Sequence, residues 1–202
     1  MLVVVPHPDD ETLGAGGLIA AQRAQGISVT VAAVTDGESA YPDYPGLGAV
    51  RRKEQAEALE CLGVPPADVV RFELPDSAVA SREQELATKL AELVSPQTHL
   101  IAPWRGDFHP DHQACGRAAE QVARATGATL TSYFFWTWHF ATPALLEALP
   151  LRRFALNPEL LRRKTEALSH HRSQLERHTG EPILPESLLG PARRSFEVFA
   201  VT

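Results

Sequence analysis

The stretch PHPDDE, Pro6 to Glu11, sets three carboxylates and an imidazole directly behind a short aliphatic run, Leu2 to Val5. Like charges this close repel and cost stability, and a bound cation is the first candidate to offset them. A second polar stretch, WRGDFHPDHQ at 104–113, repeats the His-Pro-Asp triplet. Together the two hold His7, Asp9, Asp10, Asp107, His109, Asp111 and His112. Two imidazoles and one carboxylate, completed by water, make a common hydrolytic zinc site. Zinc lowers the pKa of that water to about 7 and polarises a carbonyl. The remaining carboxylates and histidine are then free to act as acid and base. Each of these residues alone reads as a helix cap or a turn former. Two HPD triplets, each at the end of a strand, are not explained that way.

Elements must bring the triplets together. Leu2–Val5 reads as a buried strand, followed by a helix from Thr12 to Gln25 with Asp9 or Asp10 placed to cap it and Gly26 to end it. Val29–Val34 is the next strand. The segment TDGESAYPDYPGLG at 35–48 is a long loop, and such loops in compact domains are usually functional or mobile. Helix Val50–Leu62, strand Val69–Phe72, helix Arg82–Val94, strand His99–Pro103, helix Asp111–Thr126 and strand Thr129–Trp136 continue the alternation. The rhythm then breaks into a short helix near Pro143–Leu149, a strand at Arg153–Leu156, a helix across Pro158–Arg177 and an edge-like strand at Phe196–Val201. This pattern predicts an α/β fold, a Rossmann-like three-layer α/β/α arrangement with a mostly parallel sheet. Ligands in such sheets bind beyond the carboxyl ends of the strands, so the site is expected at the ends of strands one and four. A single domain over 1–202 is expected, with a core of about 1–136 and a C-terminal appendage of about 137–202.

With 202 residues, 44% of them hydrophobic and 22% charged, the chain can bury one sizeable core. A net charge of −6 without a long basic run argues against nucleic acid. No apolar stretch approaches the roughly 20 residues of a membrane helix. No charged leader or cleavage site precedes the first strand, so a cytoplasmic location is expected. Cys61 and Cys115 lie in Ala-rich helical segments and read as small buried hydrophobes, not as a disulfide or a CxxC metal site.

PHPDDE followed by HPDH resembles the LmbE-like (PIG-L) family of metal-dependent de-N-acetylases. That family includes deacetylases of mycothiol and bacillithiol biosynthesis and of N-acetylglucosaminyl-phosphatidylinositol. TDGE, RRKE, LGV, LPD and KTEALSHHRSQ are also family-like, so the likeness covers nearly the whole chain. The resemblance implies His7, Asp10 and His112 as metal ligands. It implies Asp9 as the general base that activates water and later protonates the leaving amine. His109 matches the histidine that stabilises the oxyanion, Asp111 the carboxylate that orients this histidine and holds it protonated, and Arg51 a substrate-contacting arginine. The implied metal is zinc, although two His and one Asp accept Fe2+ as well. The implied reaction removes an N-acetyl group from an N-acetylglucosamine-type conjugate, releasing acetate and a free amine. The partner is then a small amino sugar, with no nucleic acid and no membrane insertion; a homo-oligomer stays open.

Other residues carry weaker signals. Arg51 has an alternative as a helix-surface partner of Glu54 or Glu57. In WTWH at 136–139, Trp136 is assigned to the core, and Trp138 and His139 to a sugar pocket, since aromatic faces stack on sugar rings. Asp107 has no assigned role. Glu11 is either a partner behind the ligands or a favourable charge in the helix's first turn. GAGG at 14–17 does not fit GxGxxG and is assigned to close helix packing. His170, His171 and His178 are assigned to a solvated helix face. A receiver-like phosphoacceptor also places an acidic pair after strand one, and Asp76 could then be its phosphorylated residue. It needs a lysine after strand five, however, and none lies between Lys89 and Lys164. The remaining alternative is a metal-binding relative that acts on a different N-acyl substrate or has lost catalysis.

Overall fold

The computed structural model describes residues 1–177 and 180–201, so His178 lies outside the described residues. The strands are β1 (Leu2–Val5), β2 (Thr30–Ala33), β3 (Val69–Arg71), β4 (His99–Pro103), β5 (Thr129–Tyr133), β6 (Leu151–Ala155) and β7 (Phe196–Val201). They form one sheet in the order β3-β2-β1-β4-β5-β7-β6. Strands β1 to β5 are parallel, and β7 runs antiparallel to both β5 and β6. The helices are α1 (Asp10–Ala24), α2 (Leu47–Leu62), α3 (Glu83–Ala91), α4 (Pro110–Thr126), α5 (Thr137–Phe140), α6 (Pro143–Glu147), α7 (Pro158–Ser169), α8 (Arg172–Leu175) and α9 (Glu186–Leu189).

Alternation along each strand explains the layers, because successive side chains point to opposite faces. Leu2 and Val4 meet Leu86, Leu90, Cys115, Ala118 and Val122 of α3 and α4. Val3 and Val5 meet Ala15, Ile19, Leu59, Leu62 and Ala167 of α1, α2 and α7. Chain order runs outward from β1 in one direction through β2 and β3, then returns to β4 on its other side. The crevice between the ends of β1 and β4 is therefore the topological switch point where such sheets bind ligands. No helix among the described residues is long and apolar enough to cross a membrane.

The C-terminal third is built into the sheet. Strand β7 is interior, between β5 and β6, and β6 forms the edge instead. A fully buried ion pair ties this part to α1: Lys164 Nζ lies 2.7 Å from Glu197 Oε1 and donates to the Leu13 carbonyl at 3.0 Å. Glu197 also accepts the N–H groups of Gly17 and Leu18 at 2.7 and 2.8 Å, so both charges are met by further hydrogen bonds, as buried ions require.

The long helix expected across 158–177 divides into α7 and α8. The break falls where His171 turns inward and becomes wholly buried, which overturns its assignment to a solvated face. Cys115 is fully buried as expected, Cys61 is half-buried, and both are free thiols.

Candidate metal centre and active site

The switch point gathers both HPD triplets. The His7, His109 and His112 rings lie 4.9, 5.4 and 5.1 Å apart between centroids. Asp10 Oδ2 is 3.2 Å from His7 Nδ1 and 3.2 Å from His112 Nε2. Donor atoms about 2.0–2.1 Å from a tetrahedral zinc stand about 3.3 Å from one another, so Asp10 stands at ligand spacing from each of these two imidazoles. His112 Nε2 is moreover buried, and its contact with Asp10 is an ion-pair distance without hydrogen-bond geometry, a shortfall that a bound cation removes. Two further groupings around His7 have donor atoms within 4.8 Å of one another and could also hold a metal: His7 with His109 and His112, and His7 with Asp76 and Asp111.

Each of the two imidazoles gives its other nitrogen to a carboxylate. His112 Nδ1 is 2.8 Å from Asp107 Oδ2, and His7 Nε2 is 3.3 Å from both Asp111 Oδ2 and Asp76 Oδ1. Histidine ligands commonly use such partners to fix their tautomer and ring orientation. The carboxylates are themselves anchored. Asp107 Oδ1 accepts the N–H and hydroxyl of Thr137 at 2.6 and 2.5 Å. Asp111 accepts the N–H groups of Ser77 and Val79 at 2.8 and 3.1 Å. Asp107 thus acquires a role that composition and spacing had not supplied.

Electrostatics follows from this crowding. Burial disfavours a charge on His112, but Asp10 and Asp107 outweigh it and push its pKa up to about 9. His7 is raised well above the usual range in the same way, burial being outweighed by Asp10, Asp111 and Asp76. Burial opposes ionisation of Asp10, yet His112 and His7 hold its pKa far down. The cluster thus draws positive charge to its centre, as protons or as a cation that replaces them. Asp9 is different: burial, and then the charge of Asp10, raise its pKa well above the carboxylate range despite Arg51.

Asp9 is the N-cap of α1, but neither it nor Asp10 caps the helix through its side chain. Asp9 makes no capping bond, and Asp10 Oδ2 accepts the His7 N–H at 2.9 Å. The Asp9 φ of 141° is one that non-glycine residues rarely adopt, a strain of about 1–3 kcal/mol that persists only where the surroundings enforce it. Arg51, 2% exposed, lies near it, with Nη2 3.8 Å from Asp9 Oδ2. The guanidinium donates to the carbonyls of Gly37 at 2.7 Å and Pro8 at 3.1 Å and to Gln174 Oε1. Neither Glu54 nor Glu57 pairs with it: Glu54 takes the N–H and hydroxyl of Ser173, and Glu57 faces His170.

The cavity at this centre is lined by His7, Asp9, Asp10, Arg51, Asp76 and His109, with Trp136 and Leu184 among its apolar walls. Three expectations need correction here. Asp111 does not orient His109 through its carboxylate, which is consumed by Ser77, Val79 and His7; its main-chain N–H donates to His109 Nδ1 at 3.2 Å instead. In the metal-free protein His109 is not held protonated, because burial and then the charged His7 and His112 beside it lower its pKa to about 4. Trp138 and His139 do not line this cavity. Trp138 faces a separate cleft beside Phe134 and Arg194, and His139 packs behind Trp136. Alpha-helical residues two apart point about 200° from each other, so where Trp136 faces the site, Trp138 cannot.

The sequence reading also missed Asp76 as a wall of the cavity and the inward-facing pair His171 and Gln174. The loop at 35–48 is pinned: Ser39 N–H donates to Asp76 at 2.9 Å, and the Tyr41 hydroxyl accepts the Ile183 N–H at 2.6 Å.

The chain is similar to several known proteins. The family described as PIG-L, GlcNAc-PI de-N-acetylase, matches residues 2–123. The chain is 35% identical over 130 residues to a "Probable N-acetyl-alpha-D-glucosaminyl L-malate deacetylase 2" of Bacillus subtilis (strain 168), a match covering 58% of each chain. It is 29% identical over 198 residues to a 1D-myo-inositol 2-acetamido-2-deoxy-alpha-D-glucopyranoside deacetylase of Nocardia farcinica, covering 83% of this chain and 63% of the relative. The chain thus spans about three fifths of the length of these curated relatives. The crystal structure of the A40926 pseudoaglycone deacetylase Dbv21 shares the fold, with a TM-score of 0.73 at 23% identity, over 99% of this chain and 95% of its own. The family match takes in more than half of the residues and both HPD triplets, and the chain belongs to the GlcNAc-PI de-N-acetylase (PIG-L) family.

Proposed function

We propose that this protein is a zinc-dependent hydrolase that removes the N-acetyl group from an N-acetylglucosamine-type conjugate, releasing acetate and a free amine. The observation that carries this reading is that Asp10 lies 3.2 Å from a nitrogen of both His7 and His112, while the other nitrogen of each ring faces a carboxylate, Asp107 for His112 and Asp76 and Asp111 for His7. The names of the relatives support the amino-sugar part.

His7, Asp10 and His112 would hold the metal. A bound divalent cation at such a site polarises the amide carbonyl and lowers the pKa of a water to near neutrality. The chain's own groups do the rest. Asp9 is not a member of the trio, and it lines the cavity beside it, where a carboxylate can take a proton from the attacking water and return it to the departing amine. His109, its Nδ1 occupied by the Asp111 N–H, keeps its proton on Nε2 and serves as a neutral donor to the carbonyl oxygen as negative charge builds there. Arg51 and Asp76 supply the polar wall and Trp136 the aromatic wall for the sugar.

The test is zinc-loaded enzyme against a panel of N-acetylglucosaminides, read by free-amine formation, with metal content measured alongside. Asp9→Asn should retain the metal and lose about 10²–10⁴-fold in turnover, whereas Asp10→Asn should lose the metal. The opposite pattern reverses the two aspartates. No activity on any substrate of the panel sinks the amino-sugar reading and favours another N-acyl substrate.

A further inference from the structure

The Pro8–Asp9 peptide is held at both of its polar ends by buried side chains. Its carbonyl accepts from Gln174 Nε2 at 2.7 Å and from Arg51 Nη2 at 3.1 Å. Its N–H, that of Asp9, points to Glu11 Oε2 at 3.4 Å. Gln174, only 1% exposed, spans this arrangement: its Oε1 accepts from Arg51, and its Nε2 also reaches His171 Nδ1 at 3.1 Å. Glu11 is steadied in turn by Gln55 Nε2 at 3.2 Å. These groups come from α1, α2 and α8, three separate elements closing on one peptide plane. The residue that this plane delivers is Asp9, at φ 141°.

We propose that Gln174 is a positioning residue for the reaction: by fixing the Pro8 carbonyl it holds Asp9 in its strained backbone conformation and so aims the Asp9 carboxylate. The proposal rests on the reading of Asp9 as the base. Arg51 alone does not fix the carbonyl, since the Nη2 that reaches Pro8 also donates to Gln174 Oε1. The amide of Gln174 couples the two, donating to Pro8 with one end while receiving Arg51 with the other. The break between α7 and α8 has the same origin, because it turns Gln174 and His171 inward beneath the site.

The experiment compares Gln174→Met, Gln174→Glu and Ser173→Ala with the wild type, all zinc-loaded and assayed well below each protein's unfolding temperature. Methionine keeps the volume but neither hydrogen bond. Glutamate keeps the partner for Arg51 but, when ionised, loses the donor to Pro8, and it serves if the methionine variant does not fold. Ser173 is next in the chain and anchors the same segment through Glu54, so its loss loosens α8 without touching Pro8. Small misplacements of a reacting group cost on the order of 10²-fold. Both Gln174 variants should lose turnover on that order, with KM within about threefold and zinc stoichiometry unchanged. Their crystal structures should show Asp9 φ displaced from its wild-type value. Ser173→Ala should lower the unfolding temperature and leave kcat intact. Unchanged kcat in both Gln174 variants, or an equal loss in Ser173→Ala, overturns the proposal. An active Asp9→Asn enzyme overturns the reading beneath it instead, whatever Gln174 does.

Discussion

Asp107 Oδ2 lies 2.8 Å from His112 Nδ1, and the opposite oxygen of the same carboxylate is locked by the backbone and hydroxyl of Thr137. One aspartate therefore connects the start of α4 to the start of α5 and fixes the ring that presents His112 Nε2 to the centre. Partners of this kind raise the basicity of the ligand, and their loss typically costs 10–100-fold in metal affinity or activity. Asp107→Asn should accordingly weaken zinc binding by about tenfold or more, measured by competition with a chromophoric chelator. Affinity equal to the wild type would mean that Asp107 only supports the fold.

Trp136 and Trp138 face two different clefts. The Trp136 ring stacks near His109 at 6.2 Å and 18° and faces the cavity, whereas Trp138 lies under the Arg194 guanidinium in another cleft. Trp136→Ala should raise KM for an N-acetylglucosaminide roughly tenfold, which corresponds to about 1.4 kcal/mol of lost binding. Trp138→Ala should leave KM unchanged while lowering the unfolding temperature. Steady-state kinetics on the two variants decides between them, and a KM rise in Trp138→Ala alone would restore the expectation drawn from the sequence.

The contrast between these two tryptophans shows where sequence reading stops. Strand alternation, the two HPD triplets and the switch point were legible because each depends on local periodicity and on a general rule for parallel sheets. The meeting of His7, Asp10 and His112 at one point was legible because identical triplets at two strand ends are hard to explain otherwise. Which way Trp136 points was not legible, since it depends on β5 ending at Tyr133 and a helical turn starting at Thr137. The inward turn of His171 was hidden for a related reason. A histidine among polar neighbours looks solvated until Thr12 and Arg51, far away in the chain, are known to surround it. Asp107 could have been found: a histidine ligand needs a carboxylate behind it, and an aspartate stood in the same loop.

Gly14 tests the packing of α1 on the sheet. A Cβ there would fall 2.3 Å from Tyr133 Cδ2, and that ring is fully buried with its hydroxyl bonded to the Val4 carbonyl at 3.1 Å. Alanine favours a helix interior over glycine by about 1 kcal/mol, but overpacking a rigid core site costs about 1–3 kcal/mol. The clash is with a ring that cannot easily withdraw, so it should win. Gly14→Ala should lower the urea midpoint, and a higher midpoint would show that Tyr133 yields.

His171 gives the stability of the fold a pH dependence whose direction can be stated. Burial, and then the charges of Arg51 and His170, lower its pKa to about 3. Its Nδ1 accepts from Gln174, and its Nε2 sits 3.2 Å from the Thr12 hydroxyl, so the neutral ring is the one the site fits. In the unfolded chain the same residue titrates near about 6.5. Between these values the unfolded state binds the extra proton, so this contribution is complete above about pH 6.5 and is lost as the pH falls toward the folded pKa. The slope for one such group is at most about 1.4 kcal/mol per pH unit. His171→Gln keeps a donor and an acceptor but cannot titrate. Without metal, so that metal release does not enter, its urea midpoint should fall less steeply than that of the wild type between about pH 6.5 and 4.5. Parallel curves would mean that His171 stays protonated in the fold, with Glu11 Oε1, 3.9 Å from its Nε2, as counter-charge.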